Sequence, residues 1–150
     1  MKTKLSILIL FIGIVSLTAC GQASNPGNKE PWTASQLLPP AELAKTLQNA
    51  SAPQPYIYCI GPSATIPNSI DIGSTVEKAN LDKLKKELEK LPKDANIVIY
   101  CGCCPYSRCP NVRPAFQLLN QMQFKNHKLL DLPTNIKVDW IDHGYPISEN

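Results

Sequence analysis

Residues 96–111 read Asn-Ile-Val-Ile-Tyr-Cys-Gly-Cys-Cys-Pro-Tyr-Ser-Arg-Cys-Pro-Asn, and they constrain the fold more than any other stretch of the chain. Ile97, Val98, Ile99 and Tyr100 form an uninterrupted apolar, largely β-branched run, the pattern of a strand covered on both faces. The run breaks at once into a loop holding four of the six cysteines: Cys101, Cys103, Cys104 and Cys109. Residues 113–119 then read as a helix, with Pro114 tolerated in its first turn. Ligands of an open α/β sheet collect outside the carboxyl ends of its strands, and a helix N-terminus stabilises a thiolate. The order of strand, thiol-rich loop and helix start therefore places nucleophiles where both effects act.

The flanking elements agree with a parallel sheet. Residues 55–61 (Pro-Tyr-Ile-Tyr-Cys-Ile-Gly) read as a second strand apolar on both faces, closed by Gly61, and residues 66–73 as a turn leading into a short strand. Pro39-Pro40 opens a helix over 41–48, with Leu43 and Leu47 at i and i+4. Ser74 and Glu77 have the spacing of a capping box. Leu81, Leu84, Leu88 and Leu91 then form one apolar stripe on a charged surface helix that Pro92 ends. Residues 128–132 read as a last strand, and 138–146 as a helical turn with a Gly144 stop. Residues 32–38 show no clean period. Trp32 and Phe124 read as packing anchors. Strands alternating with helices specify an α/β fold: one three-layer domain, a central parallel sheet with helices on both faces.

The chain has 150 residues, enough for one domain. Its net charge is +3, and without Lys2 and Lys4 of the leader 13 basic residues face 12 acidic ones, a balance that argues against nucleic acid as a partner. Those two lysines precede an apolar core over 5–17, too short for a stable membrane anchor. Leu17-Thr18-Ala19-Cys20 follows, then Gly21. This resembles the lipobox of bacterial lipoproteins. The resemblance implies a signal peptide over 1–19, lipid on the Cys20 thiol, a flexible tether over 20–31, and a domain over 32–150 attached through Cys20 to a lipid bilayer. The expected location is the bacterial cell envelope, facing periplasm or exterior. Five thiols then remain in an oxidising compartment, an odd number that leaves one unpaired even with two disulfides formed.

Three segments resemble rhodanese-like domains. Residues 91–101 (Leu-Pro-Lys-Asp to Tyr100-Cys101) are similar to the strand entering that family's active-site loop. Residues 66–72 resemble an earlier family segment, and Trp140-Ile141-Asp142-His143-Gly144-Tyr145-Pro146-Ile147 resembles its closing motif. The matches come in family order and cover most of 33–148. The resemblance implies a parallel sheet with helices on both faces, and a loop cysteine that takes sulfane sulfur as a persulfide and passes it to a thiophilic acceptor. Cys101 holds the family's strand-end position. Arg108 follows Cys103 at the family's Cys-to-Arg spacing, whereas Tyr106 stands at that spacing from Cys101. The loop is longer than the family's, Cys59-Ile60-Gly61 replaces its Asp-Val-Arg, and Thr134-Asn135 replaces its Gly-Gly.

Three chemistries suit the loop. In sulfur transfer, Cys101 is the first-choice nucleophile and Cys103 the second. Arg108 and Arg113 hold an anionic donor such as thiosulfate, and a thiol accepts the sulfur; a transient persulfide then replaces any resident cofactor. Pro105 and Pro110 remove two loop amides from the anion cradle. In dithiol/disulfide exchange, Cys59, Cys104 and Cys109 join Cys101 and Cys103 as candidates, and Cys59 is expected beside the Cys101 strand. In metal binding, Cys101, Cys103, Cys104 and Cys109 present four soft ligands to Cu(I) or Zn, without two-knuckle zinc spacing. His127 and His143 stand alone, and neither reads as a ligand.

Overall fold

The computed structural model describes residues 30–62 and 64–149; the leader and Cys20 lie outside them. Among the described residues no helix is long and apolar enough to cross a membrane. The elements run β1 (Leu37–Leu38), α1 (Pro40–Gln48), β2 (Tyr56–Cys59), β3 (Ser69–Asp71), α2 (Lys78–Leu88), β4 (Asn96–Tyr100), α3 (Val112–Gln121) and β5 (Asn126–Leu130). A π turn at Lys137–Ile141 closes the domain.

The five strands pair in the order β1-β5-β4-β2-β3, every pairing parallel. The apolar run that opens the thiol loop is the central strand, which is why it needs apolar side chains on both faces. Ile97, Val98, Ile99 and Tyr100 are each no more than 4% exposed, and fully burying such a side chain stabilises by roughly 1.5–3 kcal/mol.

Alternation sends these residues to opposite cores. Ile97, Ile99 and Cys101 pack with Leu84 and Leu88 of α2 and with Val112, Ala115, Phe116 and Leu119 of α3. Val98 and Tyr100 pack with Leu43 and Ala44 of α1 and with Trp140. The chain is therefore an α/β domain of three layers, as its strand and helix order required.

The closing segment is held by tertiary hydrogen bonds. Trp140 is fully buried, and its indole N–H donates to the Pro146 carbonyl at 2.7 Å. Gly144 takes φ 70°, the left-handed region, where the helical turn stops. The buried Tyr100 hydroxyl accepts from the Thr65 and Ile66 amides at 2.9 and 3.2 Å and pairs with Ser69 at 3.1 Å, which fixes the segment before β3.

Two local readings are corrected. Residues 33–38, without period, form a short 3-10 turn and then β1, whose two residues pair with Leu129 and Leu130; a two-residue edge strand has no room to show alternation. Ser74 and Glu77 form no capping box: α2 begins at Lys78, with Glu77 as its N-cap residue and no side-chain cap. The Ser74 hydroxyl donates instead to Asn111 Oδ1 at 2.8 Å. Two residues ahead of 32 also touch the domain: Glu30 pairs with Arg113 at 2.6 Å, and the Pro31 carbonyl accepts from Asn120 Nδ2 at 2.8 Å.

Candidate thiol site

The loop after β4 folds back over the carboxyl ends of β4 and β5. Two backbone bonds hold it there: the Tyr106 amide donates to the Leu132 carbonyl at 3.2 Å, and the Ile136 amide to the Gly102 carbonyl at 2.9 Å. Tyr106–Arg108 forms one 3-10 turn, started by Pro105, and delivers Cys109 back into the core. Trp32 anchors this turn from beneath, edge-on to Tyr106 and Phe116 with ring centroids 5.9 and 5.7 Å away.

The folded loop brings four thiols together. The sulfurs of Cys101, Cys103, Cys104 and Cys109 all lie within 4.8 Å of one another. Cys101 and Cys103 are 3.3 Å apart and Cys103 and Cys104 3.2 Å apart, and no disulfide joins any of them. Cys101 and Cys109 are buried, Cys104 is half-buried, and Cys103 is exposed. Soft sulfur ligands in such a group can hold a metal ion.

Hydrogen bonds divide the protons unequally. The Cys101 sulfur accepts from the Cys109 thiol, from the Cys103 backbone amide, from Asn111 Nδ2 at 3.6 Å and from the Cys103 thiol. The Cys109 thiol contributes most, and together these donors outweigh burial and hold the Cys101 thiol down at about 5. Cys109, which gives its hydrogen to Cys101, is pushed up. Cys103 is pushed up to about 12, by partial desolvation and then by its bonds to Cys104 and Cys101. The first turn of α3, directly after Asn111, adds the positive end of a helix dipole. Of Cys101, Cys103 and Cys109, Cys101 is therefore the one that ionises most readily.

No known family model and no curated protein matches this chain. The site is therefore assigned from its own residues.

Two of those residues carry no marked pattern in the sequence. Asn111 holds the site to the neighbouring loop: its Oδ1 accepts from the Ser74 hydroxyl and from the Val76 amide at 3.2 Å, its carbonyl accepts from the Thr75 hydroxyl at 2.6 Å, and its Nδ2 faces Cys101. The partners stand more than thirty positions apart, so no local spacing marks them. Gly61 provides space, since a Cβ there would stand 2.8 Å from the Cys101 sulfur. Read as a strand stop, it also clears room for the Cys101 sulfur.

Cys59, the two arginines and the two histidines stand outside the sulfur cluster. Cys59, expected beside the Cys101 strand and a candidate for pairing with it, pairs in register with Tyr100. Alternation then turns its side chain to the α1 face, opposite Cys101. Its contacts include the Gly61 carbonyl at 3.9 Å, and burial pushes its thiol up. Arg113, expected to hold an anion, is bound to Glu30 at 2.6 Å and to the Ser107 carbonyl at 2.9 Å, and lies over the Trp32 ring at 5.6 Å. It ties the N-terminal strap to the loop. Arg108 is exposed on the loop. His127 is a core histidine bonded to Phe124 O, Asn120 and Gln36. His143 is exposed and stacks on Tyr145 with centroids 5.4 Å apart.

Proposed function

We propose that the chain is an exported, membrane-tethered rhodanese-like protein whose Cys101 takes sulfane sulfur as a persulfide and passes it on to a thiol. One observation carries this reading: a buried thiol at the carboxyl end of the central parallel strand has hydrogen-bond donors arranged around its sulfur. A persulfide anion needs the same surroundings, because its charge must be held by fixed donors. The tether rests on the lipobox at Cys20, and the family reading on the sheet topology together with the segments 66–72, 91–101 and 140–147.

With thiosulfate as donor, the Cys101 thiolate attacks the outer sulfur, the S–S bond breaks, and sulfite departs with the bonding pair. Arg108 is the loop cation open to an incoming anion, since Arg113 is engaged by Glu30. Thiosulfate loading with quantification of released sulfite tests this. Sulfite equimolar with protein is expected, and none from Cys101→Ser; absence of sulfite from the unaltered chain would sink sulfur transfer.

The clustering of four sulfurs favours a second reading, a soft-metal site. A tetrahedral zinc thiolate has Zn–S bonds of about 2.3 Å and so sulfurs roughly 3.8 Å apart, a spacing the present group reaches by small side-chain rotations. Cys101, Cys103, Cys104 and Cys109 would hold Cu(I) or Zn. Metal and sulfane sulfur would compete for Cys101. Anaerobic titration of the reduced protein with zinc should therefore block thiosulfate loading; substoichiometric zinc uptake ends this reading.

A further inference from the structure

Cys103 stands apart from the other three thiols. It is exposed, yet its sulfur lies 3.3 Å from that of Cys101, which is 1% exposed. A sulfur delivered to Cys101 is thus shielded from a bulky external acceptor but already has a thiol beside it. The turn between the two is built rigidly: Gly102 accepts a backbone bond from Ile136, and a Cβ on it would stand 2.9 Å from the Ile136 side chain. Closing 3.3 Å to a disulfide bond of about 2.05 Å requires a side-chain movement of little more than 1 Å.

We infer that Cys103 is the internal acceptor for the sulfur on Cys101, and that the protein reduces sulfane sulfur to sulfide. This rests on the reading of Cys101 as the persulfide site. The Cys103 sulfur attacks the Cys101 Sγ of the persulfide anion. A Cys101–Cys103 bond forms, and the bond from Cys101 Sγ to the outer sulfur breaks. The outer sulfur leaves with the electron pair, takes the proton that Cys103 gives up, and departs as HS−. The sulfane sulfur is reduced by two electrons, and the two cysteine sulfurs are oxidised to a disulfide.

An external dithiol then restores the site: one thiol attacks Cys103, the exposed end of the disulfide, and expels Cys101, and the second thiol displaces Cys103, so that the dithiol leaves as a disulfide. The geometry suits that direction, because Cys101 with its ring of donors is the better leaving group. Cys104, 3.2 Å from Cys103, lies on the same outward path. The ligands implied are a sulfane donor on the way in and a protein or small-molecule dithiol on the way out.

The test loads reduced, full-length protein anaerobically with one equivalent of thiosulfate and no added thiol. Released sulfide is quantified, and the Cys101 peptides are mapped by mass. Expected are equimolar sulfide and a Cys101–Cys103 disulfide from the unaltered chain, and from Cys103→Ser a persulfide that persists on Cys101 without sulfide. Cys103 is exposed, so serine there leaves the core intact, and sulfur uptake by the variant itself reports that the site is folded. A stable persulfide on the unaltered chain overturns the inference and leaves sulfur transfer standing. Undiminished sulfide from Cys103→Ser overturns Cys103 as the acceptor. Failure of both proteins to take up sulfur removes the persulfide reading and the inference with it.

Discussion

Cys59 and Cys101 end neighbouring strands of one sheet, and both are essentially inaccessible, at 0 and 1% exposure. Their chemistry nevertheless diverges. Cys59 points to the α1 face, where burial dominates and its thiol is pushed up. Cys101 points to the α3 face, where the returning loop supplies the Cys109 and Cys103 thiols, the Cys103 amide and Asn111 Nδ2, and its thiol is held at about 5. At Cys59 burial outweighs its bonds with Gly61 and Tyr100, whereas at Cys101 the donors outweigh burial. One step of strand alternation separates the two outcomes.

The sharpest way to break this contrast is to exchange the two thiols for inert side chains. Cys101→Ser should abolish persulfide formation. Cys59→Ala should leave loading intact and lower stability by about 1 kcal/mol through the small cavity it opens, measurable by urea unfolding. If both variants lose loading equally, the two positions are not chemically distinct.

Gly61→Ala attacks the space around Cys101 rather than its chemistry. Its Cβ would stand 2.8 Å from the sulfur, so a shift of thiol or strand is needed, at a cost of about 1–3 kcal/mol. Thermal unfolding should show a lower Tm, and Cys101 should alkylate more slowly. An unchanged Tm would mean that the glycine is not making room for the sulfur.

Asn111→Asp removes one donor and adds a negative charge, while keeping the oxygen that accepts from Ser74 and Val76. The Cys101 thiol should rise by about one pH unit, corresponding to ~1.4 kcal/mol of lost preference for the thiolate. Iodoacetamide alkylation as a function of pH reads this directly. In the metal-free parent the Cys101 rate should inflect near 5, and Cys59 should stay unreactive throughout. An inflection near the ordinary thiol value of 9.0 would remove the distinction between them.

The same protons also act on stability. Between about 5 and 9.0 the unfolded chain binds a proton at Cys101 that the folded chain does not, so stability should rise with pH across that window and be lost as pH falls through 5. Above 9.0 the sign reverses, because Cys59, Cys103 and Cys109 stay protonated in the folded chain while their unfolded counterparts ionise. Urea midpoints measured from pH 5 to 10 should therefore pass through a maximum near 9. A flat profile contradicts the unequal sharing of protons.

The three-layer α/β class was legible because β2 and β4 had to be apolar on both faces and α2 carried a clear stripe. The placing of Cys101 at a strand end followed from the abrupt change after Tyr100. β1 was not legible, since two residues show no period and its partner lies some ninety positions away. The Ser74–Glu77 spacing misled, because a local cap was outcompeted by the distant Asn111 side chain. The partners of Arg113 were not legible either: its guanidinium meets Glu30 and Trp32, which the fold brings to it.

By itself the sequence determined that a buried parallel strand opens into a loop with four thiols, since hydrophobic pattern and chain order are local properties. Only the tertiary structure decided which thiols form the site. It turned Cys59 away by register, drew Cys109 in through the 3-10 turn, and assigned the charge to Cys101 through donors from separate turns of the loop. A sulfur's ionisation depends on what stands within a few ångströms of it, and that proximity exists only once the chain has folded.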